Sequence, residues 1–158
     1  AGTGDAGTEH ARDGARPNNR SYNCLINAYS KCEEDSADKV ERLLEKMTAL
    51  ADDAAASEHP ADREYEALIR PDAVTYNSVM NYYASRRNEN RAAKRAEDLL
   101  LRMSELSQRG GPVRVETTSF NVVLKAWSNS GGGLAGARRA EEVLRSMLRM
   151  CGTGGHEN

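Results

Sequence analysis

An asparagine follows an aromatic residue at three places in the chain: Tyr22-Asn23, Tyr76-Asn77 and Phe120-Asn121. At helical spacing, the same stripe continues with Asn27 and Ser30, with Asn81 and Ala84, and with Lys125 and Ser128. Neighbouring residues lie about 100° apart around a helix, so this polar stripe is separate from the aromatic one. An amide offers two donors and an acceptor oxygen, which suits the Watson–Crick edge of an unpaired base. The competing reading is local, because Asn favours the first turn of a helix. Ser21, Thr75 and Ser119 stand where an N-cap is expected, leaving each Asn two residues inside. Periodicity alone leaves both readings open.

Helices must position these residues. Tyr22, Leu25, Ile26 and Tyr29 fall at i, i+3, i+4 and i+7, as do Tyr76, Val79, Met80 and Tyr83, and again Phe120, Val123, Leu124 and Trp127. Each set predicts one apolar stripe. A second stretch follows each first: Ala37, Val40, Glu41, Leu43, Leu44 and Met47 match Ala93, Ala96, Glu97, Leu99, Leu100 and Met103, then Ala137, Ala140, Glu141, Val143, Leu144 and Met147. Carboxylate–arginine pairs at i, i+4 are expected on the solvent side, at Asp38–Arg42, Asp98–Arg102 and Glu141–Arg145. A two-helix unit with one apolar face per helix cannot bury both faces alone, so units must stack. The expected fold is all-α, an α-solenoid of stacked helix-turn-helix repeats.

The expected boundaries are a disordered lead-in over 1–16, a helical domain over 17–150 and a flexible tail over 151–158. Within the domain, repeat 1 spans about 19–72, repeat 2 about 73–116 and repeat 3 about 117–150. Tyr22 to Tyr76 is 54 residues and Tyr76 to Phe120 only 44. The surplus falls in 51–69, where Pro60 divides two Ala- and acid-rich stretches. It is expected at an edge, as a longer second helix or an added short one.

The 158 residues suffice for one domain without a metal or disulfide staple. Aromatics at 5% argue against a β-sandwich. The net charge of −2 hides a split: through Val79 there are 9 basic and 16 acidic residues, and from Met80 onward 13 and 8. Residues 51–72 alone hold seven acids and two bases. A mildly basic surface carrying an acidic insertion is compatible with nucleic acid without requiring it. Cys24, Cys32 and Cys151 lack a CxxC pair, and His10, His59 and His156 lie far from them, so no metal site, cofactor or disulfide framework is expected. No nucleophile–base pair or phosphate loop points to an enzyme, and Gly131-Gly132-Gly133 is expected to loosen an interhelical turn. No apolar run is long enough to span a membrane. The chain opens at Ala1 without Met, so a fragment or processed product is expected, with any targeting peptide upstream.

These motifs resemble the pentatricopeptide repeat family. A Thr-Tyr-Asn run after a Pro-Asp turn appears as Pro71-Asp72-Ala73-Val74-Thr75-Tyr76-Asn77, and more loosely as Pro17-Asn18-Asn19-Arg20-Ser21-Tyr22-Asn23. The third start, Val115 to Asn121, lacks the Pro. The Ala, Glu, Leu-Leu and Met pattern of the second helix also matches, so the resemblance covers roughly 17–150. The related tetratricopeptide pattern, with its Trp-x-x-Leu-Gly opening, is absent.

The resemblance implies a right-handed superhelix that binds single-stranded RNA at one base per repeat. It pairs each Asn with the last residue of its own repeat: Asn23 with Asp72, and Asn77 with Glu116. Asn121 has no partner, and Asn18 would close a repeat upstream. Asn with Asp resembles the family's uridine reader, placing uridine at repeat 1, whereas Asn with Glu is not a standard pair. The residues three before each Asn, which are Arg20, Val74 and Thr118, are expected to sandwich bases. Lys31, Arg86, Arg87 and Lys125 are candidates for phosphate contact. The family implies RNA processing, stability or translation in mitochondria or chloroplasts. A scaffold binding a protein or peptide in the same groove is the alternative, favoured by the acidic insertion and a pI near 6.0.

Overall fold

The computed structural model describes residues 15–32 and 34–152, with side chains through Met150. The expected lead-in lies outside the described residues except for Ala15 and Arg16, as does the tail beyond Gly152. Among the described residues the fold is all-α, with helices α1 (Asn19–Tyr29), α2 (Ala37–Ala56), α3 (Pro60–Ile69), α4 (Ala73–Ser85), α5 (Asn90–Gln108), α6 (Thr117–Asn129) and α7 (Gly133–Gly152). None of them is long and apolar enough to cross a membrane.

The helices α1, α4 and α6 open the three units and touch in series, α1 on α4 and α4 on α6. Each packs on the second helix of its own unit, α1 on α2, α4 on α5 and α6 on α7. The insertion was expected to form a longer second helix or an added short one, and the structure shows a long α2 followed by a short α3. The helix α2 runs on to Ala56, and Pro60, at the first position of α3, starts a short helix that folds back onto α2. Met47, Ala51 and Ile69 close with Tyr22 into a small core of their own. Tyr65 of α3 donates its hydroxyl to the Pro17 carbonyl at 3.0 Å, tying the insertion to the start of α1.

Capping differs from the expectation by one turn. The N-caps are Asn18, Asp72 and Glu116, and Ser21, Thr75 and Ser119 sit at N3. Asn18 Oδ1 accepts from Ser21 N–H at 3.2 Å, and Asp72 Oδ1 accepts from Thr75 N–H at 2.8 Å. The hydroxyls answer in reverse, accepting from the cap residues' own N–H groups. This is a capping box with the hydroxyl and the carboxylate or amide exchanged. The three asparagines therefore lie in the second helical turn, beyond the reach of helix-start chemistry.

The helices α4 and α6 also bury more than one stripe. Ser78 and Tyr82 are buried on α4, and Val122 and Ala126 at the same offsets on α6. Each of these helices meets the preceding first helix as well as the second helices. Tyr82 is fully buried: its hydroxyl accepts from Ser36 N–H at 2.8 Å and donates to Asp35 Oδ1 at 3.2 Å, locking α4 to the α1–α2 turn. Of the expected surface pairs, Glu141–Arg145 forms at 2.7 Å, whereas Asp98 takes Lys94 at 2.8 Å.

Candidate nucleic-acid interface

The aromatic that ends each first-helix stripe reaches back to the preceding unit. Tyr83 donates its hydroxyl to Glu41 Oε1 at 2.5 Å, with Arg95 Nε 3.6 Å from the same oxygen. One unit later, Trp127 donates its indole N–H to Glu97 Oε2 at 3.1 Å, and Arg139 Nη2 reaches Glu97 Oε1 at 2.5 Å. The two joints use matching positions: an aromatic, a glutamate from the unit before, and an arginine from the aromatic's own unit. They tie the first helices α4 and α6 each to the unit before it.

Those starts carry the candidate site. Asn18, Asp72 and Glu116 cap α1, α4 and α6, so all three lie at one edge of the helix layer. Arg20, Val74 and Thr118 each occupy the second position of their helix and are exposed, Val74 to 60%. An aliphatic side chain that open at a helix start leaves a face available for stacking.

The asparagines are not equally open. Asn23 is buried, Asn77 is half-buried and Asn121 is exposed. Neighbouring offsets grade the same way, with Ile26 and Met80 buried and Leu124 only half-buried. This face of each first helix therefore meets the next first helix, and Asn121 is open because no further first helix packs on α6 among the described residues. The expected wall of amides is instead a pair of seams, α1 against α4 and α4 against α6.

Across the first seam, Asn19 Nδ2 donates to Asp72 Oδ2 at 3.4 Å, one turn below Asn23. Asp72 is thus a cap and a seam residue together. The side-chain carbonyl oxygens of Asn19, Asn23 and Asn77 are buried without a hydrogen-bond partner, an arrangement that costs about 1–3 kcal/mol for each unless a donor reaches it. Such atoms are rare in folded proteins, and an ordered water or ion, strain or a functional role accounts for them.

The candidate phosphate cations divide. Lys31, Arg87 and Lys125 are exposed. Arg86 is structural: its guanidinium lies 4.6 Å from the Tyr82 ring centroid and donates to the Glu34 carbonyl at 3.0 Å. Sequence reasoning missed the Tyr82–Asp35–Arg86 cluster, since Tyr82 lies off the apolar stripe. A signal was present in the bulk of a tyrosine at an offset where the other units carry Ala28 and Ala126.

Among the described residues, no group of three His, Cys, Asp or Glu is placed to hold a metal ion. Cys24 and Cys32 are exposed free thiols. Comparison with protein-family models, curated proteins and solved structures finds no match.

Proposed function

We propose that the chain is a single-stranded RNA-binding module of the pentatricopeptide kind, an α-solenoid with a right-handed superhelix that takes one base per repeat. The observation that carries this reading is a register repeated along the first helices. An exposed second-position residue and an Asn three residues on recur in all three units, and in the first two the Asn lies in a seam with an acidic cap at the next first-helix start. Asn23 with Asp72 forms one reader and Asn77 with Glu116 another, while Asn121 and Asn18 are half-readers at the two ends. Arg20, Val74 and Thr118 flank the bases. The unpartnered carbonyls of Asn23 and Asn77 gain donors from a base that enters the seam. The reading places the protein in organellar RNA processing, stability or translation, in mitochondria or chloroplasts, with no catalytic role and no cofactor.

Stacking contributes roughly 1–3 kcal/mol per base, and two complete readers make weak binding the expectation for this chain alone. In a fluorescence-anisotropy titration with short U-containing RNA, Asn77→Ala weakens binding more than Asn81→Ala, which lies one turn away and faces solvent. Equal effects would undo the assignment. The acidic helix α3 favours a second reading, a scaffold for a protein or peptide segment. Salt separates the two, since RNA affinity falls steeply with ionic strength and docking of an apolar peptide does not.

A further inference from the structure

The two ends of the helix array expose the residues that its interior buries. Val79 of α4 and Val123 of α6 are fully buried, but Leu25, at the same offset of α1, is 44% exposed. Cys24 and Ala28 are exposed where the later units bury Ser78 and Tyr82, then Val122 and Ala126. The opposite end mirrors this. Leu44 of α2 and Leu100 of α5 are buried, whereas the matching Leu144 of α7 is 44% exposed, with Leu148 beside it at 63%. Each end face of the described array thus carries exposed leucines.

The polar half of the joint is divided in the same way. Glu141 matches Glu41 and Glu97, which receive Tyr83 and Trp127, yet its partner here is Arg145 of its own helix. At the other end Tyr29 matches Tyr83 and Trp127. The cation of its own unit, Lys39, lies 5.7 Å from the Tyr29 ring centroid, and matches Arg95 and Arg139. One end thus holds an aromatic and a cation, and the other a carboxylate. These are the two halves of the joint formed twice inside the molecule.

We propose that the chain stacks head to tail on a second copy of itself, the α1–α2 face of one copy seating on the α6–α7 face of the next. Tyr29 donates to Glu141 of the neighbouring copy, Lys39 takes the place of Arg95 and Arg139, and Leu25 covers Leu144. Both leucines are buried by the contact, as their counterparts are within the chain. Because the two faces differ, the contact is heterologous and does not close on itself, so further copies add in the same direction. The proposal rests on the end faces and not on RNA binding.

Sedimentation velocity on the full 158-residue chain, from micromolar to submillimolar concentration without RNA, tests it. The wild type is expected to sediment faster as concentration rises, beyond the value of a dimer. Leu25→Glu and Leu144→Glu, both at exposed positions, each abolish that rise, while circular-dichroism melts confirm that both variants fold. Mixed together, the two variants form a one-to-one complex that grows no further, because each retains the face the other has lost. A wild type that is monomeric at every concentration would overturn the proposal. So would variants that stay separate on mixing while the wild type associates, which is the outcome of a symmetric contact.

Discussion

The Tyr83 hydroxyl donates to the Glu41 carboxylate across the boundary between the first and second units, at 2.5 Å. Burial, and then the bond to Glu41, push the Tyr83 hydroxyl far above its ordinary value of 10.0. A raised folded value contributes stability that is complete below the ordinary value and is lost as pH climbs toward the folded one. Tyr76 and Tyr82 are shifted in the same direction, chiefly by burial.

Alkaline unfolding follows from that shift. Stability measured by urea denaturation should drop between neutral pH and a pH above 10.0. Tyr83→Phe should reduce that drop while costing about 1.5–3 kcal/mol at neutral pH, the contribution of a hydrogen bond to a charged group. An unchanged pH profile in the variant would show that Tyr83 does not carry the effect.

Asp72 separates capping from base reading. Asp72→Ala should cost about 1 kcal/mol, the usual loss on removing an N-cap. Asp72→Asn keeps an acceptor for Thr75 N–H, so its melting temperature should stay near that of the wild type. Under the proposed RNA reading its uridine preference should nevertheless fall. A loss of preference only in step with a loss of stability would make Asp72 a cap and nothing more.

Gly131 is held by close approach. Its φ is 71°, and a Cβ placed there would stand 2.9 Å from the Asn88 Cα. The triple glycine was expected to loosen the α6–α7 turn, but it lets that turn press against the α4–α5 turn. Gly131→Ala should cost about 2 kcal/mol or more, from the left-handed backbone together with the clash. Gly133→Ala, at φ 53° with no atom near its Cβ, meets the backbone cost alone. The two variants should therefore differ in thermal denaturation.

Asp35 gives an acid-side counterpart. Its carboxyl is held below the ordinary 3.8 by the Ala37 N–H and then by the Tyr82 hydroxyl. A depressed folded value contributes stability present above the ordinary value and lost as pH falls through the folded one. Asp35→Asn should flatten the acid limb of the stability profile. The change should be small, since the carboxylate is open to solvent.

The repeat was legible in the sequence because each unit must show the same apolar spacing to bury the same face. Tyr22, Tyr76 and Phe120 mark the helix starts for that reason. The caps were misplaced by a turn because both Ser and Asp are good caps, and only the Pro or Val before Asn18, Asp72 and Glu116 distinguishes the true start. The seam was not legible. Asn23 and Asn77 look alike in sequence, and their different burial depends on which helix packs beside each. Tyr82 was missed on the same account, since its partners Asp35 and Ser36 belong to another unit's turn.

The turns between helices are laced to one another. Asn88 N–H donates to the Asn129 carbonyl and Asn129 Nδ2 to the Ala84 carbonyl, both at 2.8 Å, and Arg86 reaches Glu34 in the neighbouring unit. At the far edge, α1 and α4 are joined by the longer Asn19–Asp72 bond. The closing bonds thus crowd one rim of the helix layer, while the buried amide oxygens of Asn23 and Asn77 lie toward the other. Under the proposed RNA reading, a base would enter at the rim that fewer bonds hold shut.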